Sequence, residues 1–239
     1  MSSLRETLQA NLRAVHERIT VATRAAQRAP EDVTLVAVSK TFPPEAVVAA
    51  AGCGQSDFGE NYAQEAVAKI TRVRELAPAT RLVWHFIGPI QSNKTREIAE
   101  QFDWVQSVDR LKIAQRLSQQ RPAERGPLNV LLQVNISGEA TKSGVAPAEV
   151  AALASAVASL PNLALRGLMA IPEPTAQGAP PDPAMRAMKR LFDGLGQQHP
   201  HCDTLSMGMT ADLEAAIAAG STMVRVGTAI FGKRERTLT

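Results

Sequence analysis

The stretch Val33-Thr34-Leu35-Val36-Ala37-Val38-Ser39-Lys40-Thr41-Phe42-Pro43-Pro44-Glu45 changes its period halfway along. Val33 to Val38 is a short apolar run rich in β-branched side chains, which suits a buried strand. Pro43-Pro44-Glu45 then opens a helix, since proline is tolerated in a first helical turn, and the Ala- and Val-rich segment that follows stops at Gly52. A strand feeding a helix is the unit of a parallel α/β fold. Upstream, Leu4, Leu8, Leu12, Val15, Ile19 and Val21 fall at helical spacing, so a helix precedes this unit and ends before Pro30. Downstream the unit recurs. Asp57-Phe58 leads into a helix around Gln64 to Leu76, Leu82 to Ile87 into Thr95 to Gln101, and Trp104-Val105 into Leu111 to Leu117. Leu128 to Ile136 leads into Val150 to Leu160, and Leu163 to Ile171 into Met185 to Leu195. Thr204-Leu205 leads into Leu213 to Ala219, and Met223 to Val226 into a short tail from Phe231.

About eight alternating units behind a leading helix predict an α/β protein built as a single (β/α)8 TIM-type barrel, with residues 1–239 forming one domain. A doubly wound open sheet is the alternative, but it usually has fewer strands and would expose parallel edges. The Pro- and Gly-rich stretch Pro172 to Pro183 follows a strand and reads as a long loop at the barrel mouth rather than a linker. With 45% apolar and 21% charged residues, disordered and fibrous chains are excluded. Lys plus Arg exceeds Asp plus Glu by 26 − 23 = 3, a surplus too small to imply nucleic acid. Arg5, Arg13, Arg18, Arg24 and Arg28 concentrate charge before Pro30; a solvated helix face is preferred over an RNA-binding one. Cys53 and Cys202 have no ligand or scaffold spacing, which suits a reducing cytoplasm, and no apolar run is long enough for a membrane span.

In such a barrel the site lies where strands end and their loops converge. Lys40 stands at the end of the first strand. It is either a lysine reaching solvent or, if apolar surroundings lower its pKa, an amine that attacks an aldehyde to form a Schiff base. Ser206-Met207-Gly208-Met209-Thr210-Ala211-Asp212 reads as a phosphate cup of small residues at a helix start, or as an ordinary N-cap by Thr210 with Asp212 in the first turn. Arg225-Val226-Gly227-Thr228-Ala229-Ile230-Phe231-Gly232 repeats the device, and two such turns after the last two strands favour phosphate. Arg225, between Val224 and Val226, requires an acceptor, either a carboxylate or a ligand atom. Were the ligand pyridoxal phosphate, an arginine donating to the ring nitrogen would keep it unprotonated and weaken the ring as an electron sink. His85 reads as a hydrogen-bonded core histidine, and no residue is assigned a catalytic role. Asn61 either meets a ring substituent or caps the next helix. Lys142 sits on a polar loop, where a solvated lysine is the plain reading. Neither metal-ligand spacing nor GxSxG occurs.

The segments Ala37-Val38-Ser39-Lys40-Thr41, Phe58-Gly59-Glu60-Asn61-Tyr62, Trp84-His85-Phe86-Ile87-Gly88, Gln91-Ser92-Asn93-Lys94 and Arg166-Gly167-Leu168-Met169-Ala170, with Ser206 to Met209 and Arg225 to Gly232, resemble in order those of the pyridoxal phosphate homeostasis proteins. The resemblance implies a barrel similar to the N-terminal domain of alanine racemase, holding pyridoxal 5′-phosphate as an internal aldimine on Lys40. It places Asn61 along the ring, Arg225 at the pyridine nitrogen, Ser206, Gly227 and Thr228 at the phosphate, and Lys142 at a secondary or transfer site. It implies a cytoplasmic carrier and regulator without robust catalysis, serving PLP-dependent apoenzymes, with a monomer expected and a dimer the alternative. A racemase-like enzyme is the competing expectation; the only tyrosine available as its second base is Tyr62. A barrel binding some other phosphate is the third. Phe42 and the Lys233-Arg234-Glu235-Arg236 tail depart from the family pattern.

Overall fold

A computed structural model describes residues 3–139, 142–173 and 179–232. The strands are β1 (Thr34–Val38), β2 (Asp57–Glu60), β3 (Val83–Phe86), β4 (Trp104–Val108), β5 (Leu128–Gln133), β6 (Leu163–Met169), β7 (Thr204–Ser206) and β8 (Met223–Val226). They pair in chain order, and β8 returns to β1 to close the barrel. Closure leaves no exposed parallel edge, which excludes the doubly wound alternative. The seam aligns Val36 with Arg225 and Ala37 with Val226, so the ends of β1 and β8 emerge side by side. On the other flank Val38 aligns with Gly59 of β2.

The helices are α1 (Leu4–Ala25), α2 (Pro44–Ala51), α3 (Ala63–Leu76), α4 (Thr95–Gln101), α5 (Leu111–Gln120), α6 (Val150–Ala158), α7 (Pro183–Gln198), α8 (Leu213–Ala218) and α9 (Thr228–Phe231). Their buried apolar residues and those of the strands form one core; Phe86 of β3 and Phe102, just after α4, meet edge to face at 5.3 Å. α1 begins with a capping box, Ser3 and Glu6 each accepting the other's backbone N–H. Its buried stripe Leu8, Leu12, Val15 and Ile19 packs towards α8, α9 and α2. Each such side chain contributes about 1.5–3 kcal/mol on burial. Polar ties pin α1 there: Arg18 pairs with Glu214 at 2.6 Å, Arg28 donates to the Ser221 carbonyl and Asn11 to that of Ile230. The expected solvated helix face is therefore partly engaged in holding the helix. The centre of the Pro172–Pro183 loop and the basic tail lie outside the described residues.

Candidate functional site

β1 ends at Val38, so Lys40 stands two residues beyond it at the mouth, half-buried. Both of its neighbours are tied down. Ser39 donates its N–H to the Gly59 carbonyl at 3.0 Å and its hydroxyl to Glu60 Oε1 at 2.7 Å. Its carbonyl accepts from Lys69 Nζ at 2.7 Å. Thr41 has φ 68°, a left-handed conformation that costs a β-branched residue about 1–3 kcal/mol and persists only where surroundings enforce it. Its N–H donates to Glu65 Oε1 at 2.7 Å, and Lys69 Nζ bridges Glu60 at 2.6 Å and Glu65 at 3.1 Å. Glu60 is fully buried; burial raises its carboxyl pKa against the pull of Lys69. Phe42, the departure from the family pattern, stacks on Phe231 at 5.0 Å and so joins the β1–α2 turn to α9.

Around Lys40 the neighbouring strand ends supply the other expected residues. A Cβ on Gly227 would lie 3.2 Å from the Val38 carbonyl oxygen, so the β8–α9 turn runs directly against the end of β1. Gly227 precedes α9, whose first N–H groups, on Thr228 and Ala229, have no acceptor within the helix. Asn61 follows β2. Tyr62, not Asn61, occupies the N-cap position of α3, which disposes of the capping reading. Asn61 Oδ1 is instead buried with no hydrogen-bond partner among the described residues. Asn61 also lines a cavity of about 230 Å³ with Ile87, Gln133, Asn135 and Lys142. Lys142 is thus not fully solvated: it lies on the loop after β5 and pairs with Glu139 at 2.6 Å. The hydrogen bond from Lys142 holds Glu139 below the usual carboxylate range. Asn135 shapes that loop, its Nδ2 donating to the carbonyls of Glu139 and Lys142.

Arg225 corrects an expectation. Its guanidinium meets neither a carboxylate nor an open ligand position at every donor; Nη2 donates to the Ala170 carbonyl at 2.9 Å and Nη1 to Ser206 Oγ at 2.5 Å. Burial pushes it down to about 10, countered by the Asp212 carboxylate, so it is a cation at neutral pH. Ser206 in turn donates to Gln106 Oε1 at 2.7 Å, Gln106 Nε2 meets His85 Nδ1 at 3.0 Å, and His85 Nε2 meets Asp57 Oδ1 at 2.9 Å. Because these bonds join β8, β7, β4, β3 and β2, they run through the barrel interior. His85 is the satisfied core histidine its sequence setting implied. Burial would raise the Asp57 carboxyl, but hydrogen bonds from His85 and Ser56 outweigh it and hold it low. The Ser206 hydroxyl is fully buried and committed to this chain.

The loop after β7 also differs from its expected capping alternative. Asp212 is the N-cap of α8, and its Oδ1 accepts from the Met209 N–H at 2.6 Å, so Asp212 and not Thr210 closes the turn. Gly208 there has φ 97°, and a Cβ would stand 2.5 Å from Ala216 Cβ, so only glycine fits. The structure therefore gathers Lys40, Asn61, Ser206, Arg225, Gly227 and Thr228 onto the ends of β1, β2, β7 and β8, and places Lys142 on the loop after β5, across the cavity it shares with Asn61. Glu60, Glu65, Lys69 and Gln106 were not singled out from the sequence. The available signal was a carboxylate inside an apolar strand followed by an i, i+4 Glu–Lys pair on the next helix.

The chain is 58% identical over 229 residues to the Pyridoxal phosphate homeostasis protein of Pseudomonas aeruginosa, a match covering 96% of each chain. It is 56% identical over 225 residues to that of Escherichia coli, covering 94% of this chain and 96% of the relative. The chain belongs to the pyridoxal phosphate homeostasis protein family. The broader family described as alanine racemase, N-terminal domain, matches residues 10–235. Among solved structures, PipY of Synechococcus elongatus PCC7942 with PLP bound is 35% identical, with a TM-score of 0.72, covering 91% of this chain and 100% of that one. No helix among the described residues is long and apolar enough to cross a membrane.

Proposed function

We propose that the chain binds pyridoxal 5′-phosphate at the mouth of the barrel and acts in the cell as a carrier and regulator of that cofactor rather than as a catalyst. When bound, the cofactor supplies an aldehyde that condenses with a neutral primary amine, losing one water, and a phosphate that requires hydrogen-bond donors. The residues present fit such a group. Asn61 Oδ1 is a buried acceptor awaiting a partner, and Gly227 leaves a space at the β1–β8 edge that a side chain would crowd. Lys40 offers the amine. Asn61 lines the ring, and the N–H groups at Gly227 and Thr228 face the phosphate, in keeping with anion preference at a helix start. Arg225 directs its positive guanidinium towards the ring nitrogen and keeps a proton off it. Ser206 contributes by orienting Arg225, since its hydroxyl is occupied by that residue and by Gln106. Lys142, beside the cavity it shares with Asn61, serves as a secondary site.

The observation that carries this reading is the relationship to the curated homeostasis proteins, at 56–58% identity over 94–96% of this chain. Its test is spectroscopic and kinetic. Purified full-length chain mixed with pyridoxal 5′-phosphate should develop a protein-bound absorption band in the near-ultraviolet to visible range. With D- or L-amino acids the loaded protein should turn over none faster than free cofactor does. A colourless protein overturns the binding reading, and sustained racemisation or transamination overturns the carrier reading.

A further inference from the structure

Behind Lys40 lies a charged cluster that the proposed binding does not use. α3 buries mainly apolar side chains, among them Ala66, Ile70 and Val73. Into that layer it also inserts Lys69, 4% exposed, which pairs with Glu60 at 0% exposure. Burying two charges is a poor route to stability, because desolvation offsets much of their attraction and apolar residues of similar volume commonly serve as well. The pair is not even fully satisfied, since Glu60 Oε2 has no partner among the described residues. What the cluster does reach is the backbone on both sides of Lys40. Lys69 and Glu60 grip Ser39 at its carbonyl and hydroxyl, while Glu65 grips the N–H of Thr41 and holds it at a positive φ. Glu65 is itself held by Lys69. A β-branched residue in the left-handed region directly after the functional amine is strain located at a site; the Phe42 N–H closes the turn on the Ser39 carbonyl at 3.0 Å, and, among the described residues, every side-chain hydrogen bond to Ser39 and to the Thr41 N–H comes from this one cluster.

We propose that Lys69, bridging Glu60 and Glu65, is a positioning residue that fixes the Ser39-Lys40-Thr41 turn and thereby sets how readily the Lys40 amine takes up its aldehyde ligand. The inference rests on the proposed binding of pyridoxal 5′-phosphate at Lys40. Lys69 touches no ligand; it acts through the turn.

The test measures the rate at which full-length cofactor-free protein captures pyridoxal 5′-phosphate, followed by stopped-flow absorbance from pH 6 to 9 and by borohydride reduction with peptide mapping. Three variants are compared with the parent. Glu65→Ala removes the grip on Thr41 at a half-exposed side chain, leaving Lys69 paired with Glu60. Lys69→Met combined with Glu60→Gln removes both buried charges together, so that neither is stranded. Glu65→Gln restores an acceptor for the Thr41 N–H. Misplacing a reacting group by a fraction of an ångström slows its reaction markedly, so Glu65→Ala should capture about fivefold more slowly and the double variant about tenfold. Both should keep the parental circular dichroism, and the pH midpoint of the bound absorption band should move in the double variant. Glu65→Gln should recover most of the rate that Glu65→Ala loses. Folded variants that capture at the parental rate with the parental midpoint overturn the positioning role, and so does a loss of thermal stability alone. A parent that captures nothing at Lys40 would instead overturn the binding reading on which this one stands.

Discussion

Replacing Gln106 with leucine tests whether the polar chain through the barrel acts as one unit. Gln106 is fully buried and is the central link: it donates to His85 Nδ1 and to Met223 Sδ, and accepts from Ser206. Leucine has nearly the same volume, so no cavity opens. Two buried groups each lose a partner, His85 Nδ1 its donor and the Ser206 O–H its acceptor, with Arg225 still bound to Ser206 Oγ, at about 1–3 kcal/mol each. Added apolar burial returns about 1–2 kcal/mol. At mid-range the loss is about 2.5 kcal/mol, and at about 2–4 °C per kcal/mol for a domain of this size Tm should fall by about 5–10 °C. Urea unfolding followed by circular dichroism gives the free energy. His85→Phe in the Gln106→Leu background supplies the second side of a cycle, because phenylalanine keeps the stack on Trp104, whose ring lies 5.5 Å from that of His85. If the chain is a unit, the histidine substitution costs less once Gln106 is gone. A loss below about 0.5 kcal/mol for Gln106→Leu, or additivity of the two changes within about 0.5 kcal/mol, would mean that the links of the chain act independently.

Three further outcomes are expected. Gly88→Ala places a Cβ 2.1 Å from the Asn61 carbonyl oxygen, and backbone must move to admit it; cofactor affinity should fall about tenfold or more, as equilibrium titration would show, and unchanged affinity would mean that Asn61 does not line the ring. Burial raises Glu214, but its hydrogen bond with Arg18 prevails and holds it below its ordinary value. The folded form therefore gains from this pair above the unfolded carboxyl pKa and loses the gain as pH falls through the lower folded value, so hydrogen-exchange protection along α1, corrected for the intrinsic pH dependence of exchange, should fall on acidification and Arg18→Met should abolish that dependence. Cys202 is buried, with its thiol pushed up to about 11, whereas Cys53 is half-buried; at pH 8 a maleimide should label Cys53 first and reach Cys202 only on unfolding, which peptide mass spectrometry distinguishes.

How far the sequence reveals this molecule depends on which face each residue turns. The periodic switch at Val33 to Gly52 repeats in each unit, and Thr95–Gln101 and Met223–Val226 fall where their patterns end. β4 runs to Val108 although only Trp104-Val105 reads as strand, because Gln106 and Ser107 look like turn residues. Gln106 is polar for a different reason: it faces an interior that carries a hydrogen-bonded chain. β5 conversely stops at Gln133, short of Ile136, as Asn135 draws the backbone into loop hydrogen bonds. Lys40 and Gly227 were legible because a strand end is a local feature. The cluster behind Lys40 was not, since Ser39, Glu60 and Lys69 meet only when a strand, its neighbour and the following helix are packed. The acceptors of Arg225, on β7 and just after β6, were hidden for the same reason.

Borohydride trapping identifies the amine that holds the cofactor. The full-length chain is loaded with pyridoxal 5′-phosphate, reduced with borohydride, digested and mapped by mass. The reduced cofactor should be found on the peptide carrying Lys40, and Lys40→Ala should lose that modification together with the bound absorption band. Modification confined to Lys142 or another lysine, or a band that persists undiminished in Lys40→Ala, would contradict the account.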